Sequence, residues 1–462
     1  MPKTFRPYDL DQRLLLPPDL RDWLPADHLA LFISDVVDEL DLSAIVQVYE
    51  EGDGRGQPPY HPAMMVKLLL YGYCVGRPSS RRLERATYED VAFRVLAADQ
   101  HPDHDSLATF RQRHLGALAG LFGQVLRLCQ QAGLVTLGHV ALDGTKLKAN
   151  ASKHKAMSYA RMEDAERRLE AEVQRWLEAA AEVDAAEDGQ YGHGRRGDEL
   201  PPELADRQKR LATIRAAKAA LEQEARTRAE QAKGEAEAKA AAREQRPGRR
   251  KGHHIRIPDP RQAAPPPTAQ RNFTDPESRI MKDGATNAFV QGYNAQAAVD
   301  AARQIIVGCT LSAAAADVEH FVPLLAAVAR NTGRGPLVVT ADAGYFSDAN
   351  LSAAETAAID VYIPPDREHH GHRLGAGPAH VSRRGQRSDE MRAKLRTPAG
   401  EAIYRRRKAI IEPVFAYIKA HRGFRQFSLR GRAKVAGEWA LICLTHNLLK
   451  LFTHRRPALA CH

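Results

Sequence analysis

The segment YRRRKAIIEPVFAYIK, from Tyr404 to Lys419, sets one carboxylate among a dense group of cations. Tyr404, Lys408 and Glu412 follow one another at steps of four, and Lys419 comes seven after Glu412. On a helix a step of four turns the direction by about 40° and a step of seven by about −20°. The four side chains then share one face, with Ile411, Val414, Phe415 and Ile418 on another. A carboxylate embedded in Arg405, Arg406, Arg407, Lys408 and Lys419 suits a group that holds a metal while the cations grip phosphates. An amphipathic helix with ordinary surface ion pairs is the plainer reading of the same stretch. Pro413 either bends this helix beside Glu412 or starts a second helix with Glu412 as its cap.

Two further carboxylates stand where apolar runs stop. GHVALDGTKLKANAS reads as a strand leading into Asp143, with Gly144 next and Lys146 and Lys148 alternating outward. PLVVTADAGYFSDANL gives a short buried strand, Leu337 to Thr340, that stops at Asp342. A carboxylate on a buried strand is costly unless it is paired or bound to metal. Asp143, Asp342 and Glu412 together would hold two Mg²⁺, with Mn²⁺ as a substitute. Such a pair of ions activates an attacking oxygen and stabilises a leaving one at phosphorus.

The elements that must position these groups follow from composition and period. The chain has 462 residues and a net charge of +10, enough for two or three domains and favouring a polyanionic partner, nucleic acid above all. No run of about 20 apolar residues spans a membrane, and the N-terminus lacks the apolar core of a signal peptide. The five cysteines form no C-x-x-C pair and read as reduced thiols of a cytoplasmic protein. Residues 1–133 read as an all-helical domain, with Arg81, Arg82, Arg85, Arg111, Arg113 and His114 at exposed positions suited to DNA contacts or, equally, to a solvated face. One helix is expected over SSRRLERATYEDVAFRVLA, capped by Ser79 or Ser80, and another after an Asp105 cap, running to Gly133.

Residues 155–245 are rich in Ala, Glu, Arg and Lys with apolar steps of three and four, an inserted helical hairpin resembling a coiled coil. Residues 246–269 form a basic, Pro-rich linker. Without the insertion, 134–154 and 270–455 read strand, strand, strand, helix, strand, helix, strand, helix. That order predicts an α/β fold, a ribonuclease H-like mixed sheet flanked by helices, with ligands gathered at strand ends.

With D-G-T at 143–145, TADAGYFS around Asp342, QGYNAQ at 291–296 and the Y…K…E…K helix, most of the chain resembles the insertion-sequence DDE transposases. The resemblance implies an enzyme that cuts DNA at element ends and joins the freed 3′-OH to target DNA. It implies Asp143, Asp342 and Glu412 as the metal-binding triad, and Tyr404, Lys408 and Lys419 as accompanying helix residues, Lys419 holding a phosphate near the cut. The family signature has two residues between Tyr and Arg and three between Arg and Glu. Here Arg407 meets the first spacing and Lys408 the second, and helical geometry favours Lys408. The expected partners are double-stranded DNA, both terminal repeats and target, and further copies of the chain on paired ends. The expected location is the cytoplasm, at the nucleoid. A related nuclease without strand transfer, and a non-catalytic DNA-binding relic, are the alternatives. Asn294 either orients substrate or satisfies backbone groups. Asp300 reads as a turn residue, Asp348 as a helix cap, and His369, His370 and His372 as a solvated loop.

Overall fold

The computed structural model describes residues 19–50, 58–191, 202–244, 255–283, 288–366 and 386–459. The 369–372 histidines and the basic start of the linker lie outside them. Before the first strand come α1 (Leu29–Glu39), α2 (Ser43–Glu50), α3 (Pro62–Cys74), α4 (Ser80–Glu89), α5 (Val91–Leu96), α6 (His104–Arg113) and α7 (Leu115–Gln131). Then follow β1 (His139–Lys148), β2 (Ala156–Ser158), α8 (Tyr159–Tyr191), α9 (Pro202–Glu244), β3 (Gln270–Asn272), β4 (Arg279–Lys282), β5 (Phe289–Asp300) and β6 (Ile306–Ser312). The chain continues through α10 (Phe321–Thr332), β7 (Val338–Thr340), α11 (Asp348–Thr356), β8 (Asp360–Tyr362), α12 (Gln386–Arg396), α13 (Pro398–Ala416) and α14 (Arg432–Leu459). None of the described helices is long and apolar enough to cross a membrane.

Two of the long helices expected near the N-terminus are each broken in two. Asp90 leaves the helix at φ −116°, ψ 118°, and its carboxylate accepts from the Ala92 N–H, so α4 ends and α5 begins there. His114, at φ −104°, ψ 13°, separates α6 from α7. Asp103, not Asp105, caps α6, accepting from the Ser106 N–H at 2.8 Å. Both Asp residues use a side-chain oxygen to satisfy a first-turn donor that the helix cannot.

The chain divides into two compact units, Met1–Leu147 with Asn294–His462, and Lys148–Tyr293. The first contains a mixed sheet in which β1 lies between β5 and β7, with β6 on the far side of β5 and β8 beyond β7. β5 and β6 are antiparallel, while β1, β7 and β8 are parallel. Helices cover the sheet, α10 and α14 packing on β6. This is the α/β, ribonuclease H-like arrangement expected. Its buried strands carry runs such as Val140–Leu142 and Ala297–Val299 at zero exposure.

α13 runs through Pro413 without stopping and passes into a π turn, Tyr417–His421. Thr397 caps its start, accepting from the Gly400 N–H at 3.0 Å. Proline has no N–H to give to the carbonyl four residues back. That carbonyl, Ala409 O, instead accepts from Gln304 Nε2 at 3.0 Å. Lys450 Nζ holds the same glutamine's oxygen at 2.8 Å.

In the second unit α8 and α9 pack side by side over Met162, Leu169, Leu211, Ile214 and Leu221. Tyr159 meets Glu222 and Glu166 meets Arg215, so the two helices run in opposite directions. β2 pairs antiparallel with β3, and β4 with the leading half of β5. Glu224 of α9 accepts from Arg271 at 2.6 Å and Arg279 at 2.9 Å. Tyr293 donates to buried Asp275 at 2.9 Å.

Candidate active site

β1 and β7 set the geometry of the site. Ala141 stands opposite Thr340 in their parallel register. Two residues further along each chain come Asp143, still on β1, and Asp342, just past the end of β7, and the charge of Asp342 acts on Asp143. The C-terminal ends of parallel strands are where ligands collect in open sheets. Asp143 Oδ1 accepts from the Gly144 N–H at 2.8 Å, and Asp342 Oδ1 caps the following turn through the Gly344 N–H at 2.9 Å.

A third carboxylate joins them. Asp317, in the loop after β6, accepts from Asn294 Nδ2 at 2.6 Å and Gln296 Nε2 at 2.7 Å, with Lys146 Nζ at 3.4 Å. Both amides belong to β5 and are fully buried. Gln296 is pinned from two more sides: its side-chain oxygen accepts from the Tyr345 hydroxyl, and its main-chain oxygen from Trp439 Nε1 at 3.0 Å. Gly144 makes room for this network. A Cβ there would stand 2.3 Å from Gln296 Nε2 and 2.7 Å from both Asn294 Oδ1 and Asp317 Oδ1.

The carboxylates are under-compensated. Burial pushes Asp143 up to about 7; Arg407 opposes that, and Asp342 and Asp317 add to it. Asp342 is raised by burial first and by Asp317 next, again against Arg407. Tyr345 is held neutral by burial and by the three carboxylates around it. Arg407 Nη1 lies 3.3 Å from Asp143 Oδ2, a loose contact for a guanidinium–carboxylate pair. Burial works to weaken the Arg407 proton, but Tyr404, Asp143 and Asp342 outweigh it and raise the group further.

Of the cations and carboxylate expected on α13, Arg407 turns into the site and is 7% exposed, with its guanidinium 5.8 Å from the Tyr404 ring centre. Lys408 and Glu412 are exposed. Helix phase explains the split. The buried arc runs through Arg407, Ile411, Val414 and Ile418, and a five-residue step from Arg407 to Glu412 turns about 140° away from it. Of the two candidates for the signature cation, Arg407 is the one that faces Asp143, and Lys408 lies on the exposed side of the helix. Lys419 sits in the π turn, whose extra residue per turn shifts the phase of the residues beyond it. Its Nζ donates to Lys146 O at 3.1 Å, which brings two lysines together beside the aspartates. Arg81 and Arg82 are exposed in the first turn of α4, and Arg85 and Arg113 are exposed as well, but Arg111 and His114, also expected at exposed positions, are buried.

Asn294 holds Asp317, while its own buried Oδ1 has no hydrogen-bond partner. Asp300 is a buried turn residue that accepts from the Leu137 and Ala302 N–H groups. Ser347 rather than Asp348 caps α11. Asp317 is absent from the residues expected at the site. SAAAADVEH carries no period that singles it out, and only the amides of QGYNAQ mark the place where it docks.

Two family models match the chain: a transposase domain over residues 18–113 and a transposase DDE domain over residues 252–448. Both matches support an insertion-sequence DDE transposase. The second match contains Asp342, Glu412 and Asp317, while Asp143 falls between the two. No curated protein and no solved structure matches the chain.

DDE transposases generally use divalent metal ions. Among the described residues no three His, Cys, Asp or Glu side chains converge as a ready-made metal site. What the transposase does present is an all-oxygen donor set: the neighbouring Asp143 and Asp342, Asp317 beside them, and the orphaned amide oxygen of Asn294. Hard divalent cations prefer such donors, and Mg²⁺ keeps several waters.

Proposed function

We propose that this DNA transposase binds the ends of its element as an oligomer, hydrolyses a phosphodiester bond at each end, and transfers the freed 3′-OH to target DNA. Asp143 and Asp342 hold Mg²⁺, or Mn²⁺ in its place, with Glu412 as the third carboxylate. The observation that carries this reading is the pair of neighbouring aspartates, Asp143 on β1 and Asp342 just past the end of β7. Both are raised by burial and by negative neighbours, against Arg407 and, at Asp342, Lys146 as well. When bound, the metal ions would activate the attacking oxygen and stabilise the leaving one.

The protein's own groups divide the remaining work. Arg407 favours the charged form of Asp143, opposing the burial and negative neighbours that raise it. Lys146 and Lys419 supply cations for the scissile phosphate from the same edge of the site. Asn294 and Gln296 fix Asp317, and through it Lys146.

A second reading of the third ligand rests on Asp317, because its charge acts on both aspartates whereas Glu412 is exposed. Glu412→Ala and Asp317→Asn separate the two: the third ligand is the one whose loss abolishes cleavage while DNA binding persists. The primary test is Mg²⁺-dependent cleavage of DNA carrying the element's own flanking ends, wild type beside Asp342→Ala. Cleavage by wild type alone, leaving 3′-OH ends and joined products with a target plasmid, is expected. Cleavage surviving Asp342→Ala would remove that residue from the chemistry. Cleaved ends without joined products would make the protein a nuclease.

A further inference from the structure

An open cavity of about 450 Å³ lies where the turn between α3 and α4 meets residues 422–428. None of the three site aspartates lines it. Its wall includes Ser79, Ser80, Arg81, Arg82, Arg111 and Arg422. Gly76 makes the junction possible: at φ +72° its missing Cβ would stand 2.5 Å from Arg422 O.

Three observations give this cavity a ligand class. First, it opens on the N-terminus of α4, a ten-residue helix whose N-cap, Ser79, makes no side-chain capping bond. Free first-turn N–H groups and the helix dipole attract anions there. Second, Arg111 is 6% exposed, gives Nη1 to Pro78 O at 2.7 Å, and leaves Nε without a partner. The Tyr73 hydroxyl lies beside the same guanidinium, whose charge and hydrogen bonding oppose the rise that burial imposes on it. Third, neither Arg111 nor the buried Arg422 forms an ion pair among the described residues; Arg422 donates to Tyr73 O, Ile442 O and Thr445. Buried charges are normally paired. Of the nearby acids, Glu438 is buried and accepts from the Ser428 and Leu429 N–H groups, Glu84 is taken by His104 at 2.8 Å, and Asp105 stands exposed at the rim.

We propose that this cavity seats a phosphodiester of the DNA backbone. Arg81 and Arg82 meet the anion from the solvent side, and the α4 N-terminus and Arg111 meet it from below. The proposal rests on the transposase reading for its choice of DNA and adds a contact remote from the chemistry.

Duplex binding by the full chain, followed by anisotropy across a salt series, tests it. Ser79→Asp keeps a good N-cap while placing a carboxylate in the cavity. It should weaken binding about tenfold without lowering Tm. Arg81→Ala with Arg82→Ala should flatten the log–log salt slope by about 1–2, one released counterion per lost contact. Arg85→Ala, on the same helix but paired with Glu89 at 2.7 Å and outside the cavity, should change little. In a parallel arm, inorganic phosphate should raise the Tm of wild type more than that of Ser79→Asp. Ser79→Asp binding duplex like wild type, or Arg85→Ala losing as much as the Arg81/Arg82 pair, would overturn the proposal. A phosphate effect sensitive to Ser79→Asp in a chain that binds no duplex would overturn the choice of DNA. Duplex binding without cleavage would instead overturn the proposed chemistry and leave this site standing.

Discussion

Glu224 and Asp143 are both carboxylates drawn partly out of water, and their surroundings differ in one respect. Glu224 has two guanidinia, Arg271 at 2.6 Å and Arg279 at 2.9 Å; burial works to raise it, yet the pair holds it below the ordinary carboxylate range. Asp143 has one, at 3.3 Å, with two more aspartates acting on it, and is pushed up to about 7. The first arrangement is complete as it stands and ties α9 to the short strands of its own unit. The second is an anionic site short of positive charge, which a divalent cation would supply. Perturbed carboxylates in a cleft mark functional sites with better than chance odds.

That contrast breaks most sharply at the aspartates. Asp143→Ala and Asp342→Ala should each reduce DNA cleavage by about 10³-fold while end binding stays within a factor of two. Cleavage assays beside anisotropy check both halves. Next in size is Gly144→Ala. Its methyl group would collide with Gln296, Asn294 and Asp317, so cleavage should fall steeply, with about 1–3 kcal/mol lost in denaturant unfolding as the overpacked site shifts. If Gly144→Ala cleaves like wild type, the amide–carboxylate network has no part in the reaction.

Glu224→Gln attacks the other side of the comparison. Leaving Arg271 and Arg279 without their carboxylate should cost about 1–3 kcal/mol, read by chemical denaturation, with cleavage by the folded fraction unchanged. A large loss of turnover at full folding would show that Glu224 is more than structural.

The smallest effect concerns pH. Because Asp143 is raised, the folded metal-free protein binds more protons than the unfolded chain between about 4 and about 7. Stability therefore falls as pH rises through that window. Asp143→Asn removes the penalty: the variant should melt above wild type at pH 8, with the gap closing towards pH 4. Added Mg²⁺ should raise the wild-type Tm at pH 8 and leave Asp143→Asn nearly unmoved. A constant gap across pH would assign the shift to packing instead.

Much of this site was legible in the chain because strands announce their ends. Val140 to Leu142 and Val338 to Thr340 are apolar runs, and the carboxylate that follows each falls at the sheet edge by the period of the strand alone. α13 was harder. Its stripe of Tyr404, Lys408 and Glu412 is real, but which arc of a helix is buried depends on what packs against it. The arc chosen is centred on Ile411 and takes in Arg407 instead of Lys408. Asp317 was beyond reach for a different reason: its role is made by Asn294 and Gln296, which meet it only once β5 lies beside β1. The breaks at Asp90 and His114 escaped because the apolar period continues across both.

Pro413 does more than interrupt a hydrogen-bond ladder. By withholding its N–H it hands Ala409 O to Gln304, and Lys450 of α14 grips the other end of that glutamine. α13 is thus latched to the turn between β5 and β6 at the level where Glu412 faces outward. Swinging Glu412 inward by rolling the whole helix would unfasten that latch and turn Arg407 away from Asp143. A side-chain swing, or a migration of the neighbouring π turn, leaves both in place. The helix is in this sense indexed rather than hinged, and Gln304→Ala, read by hydrogen exchange along α13, would show whether the index holds.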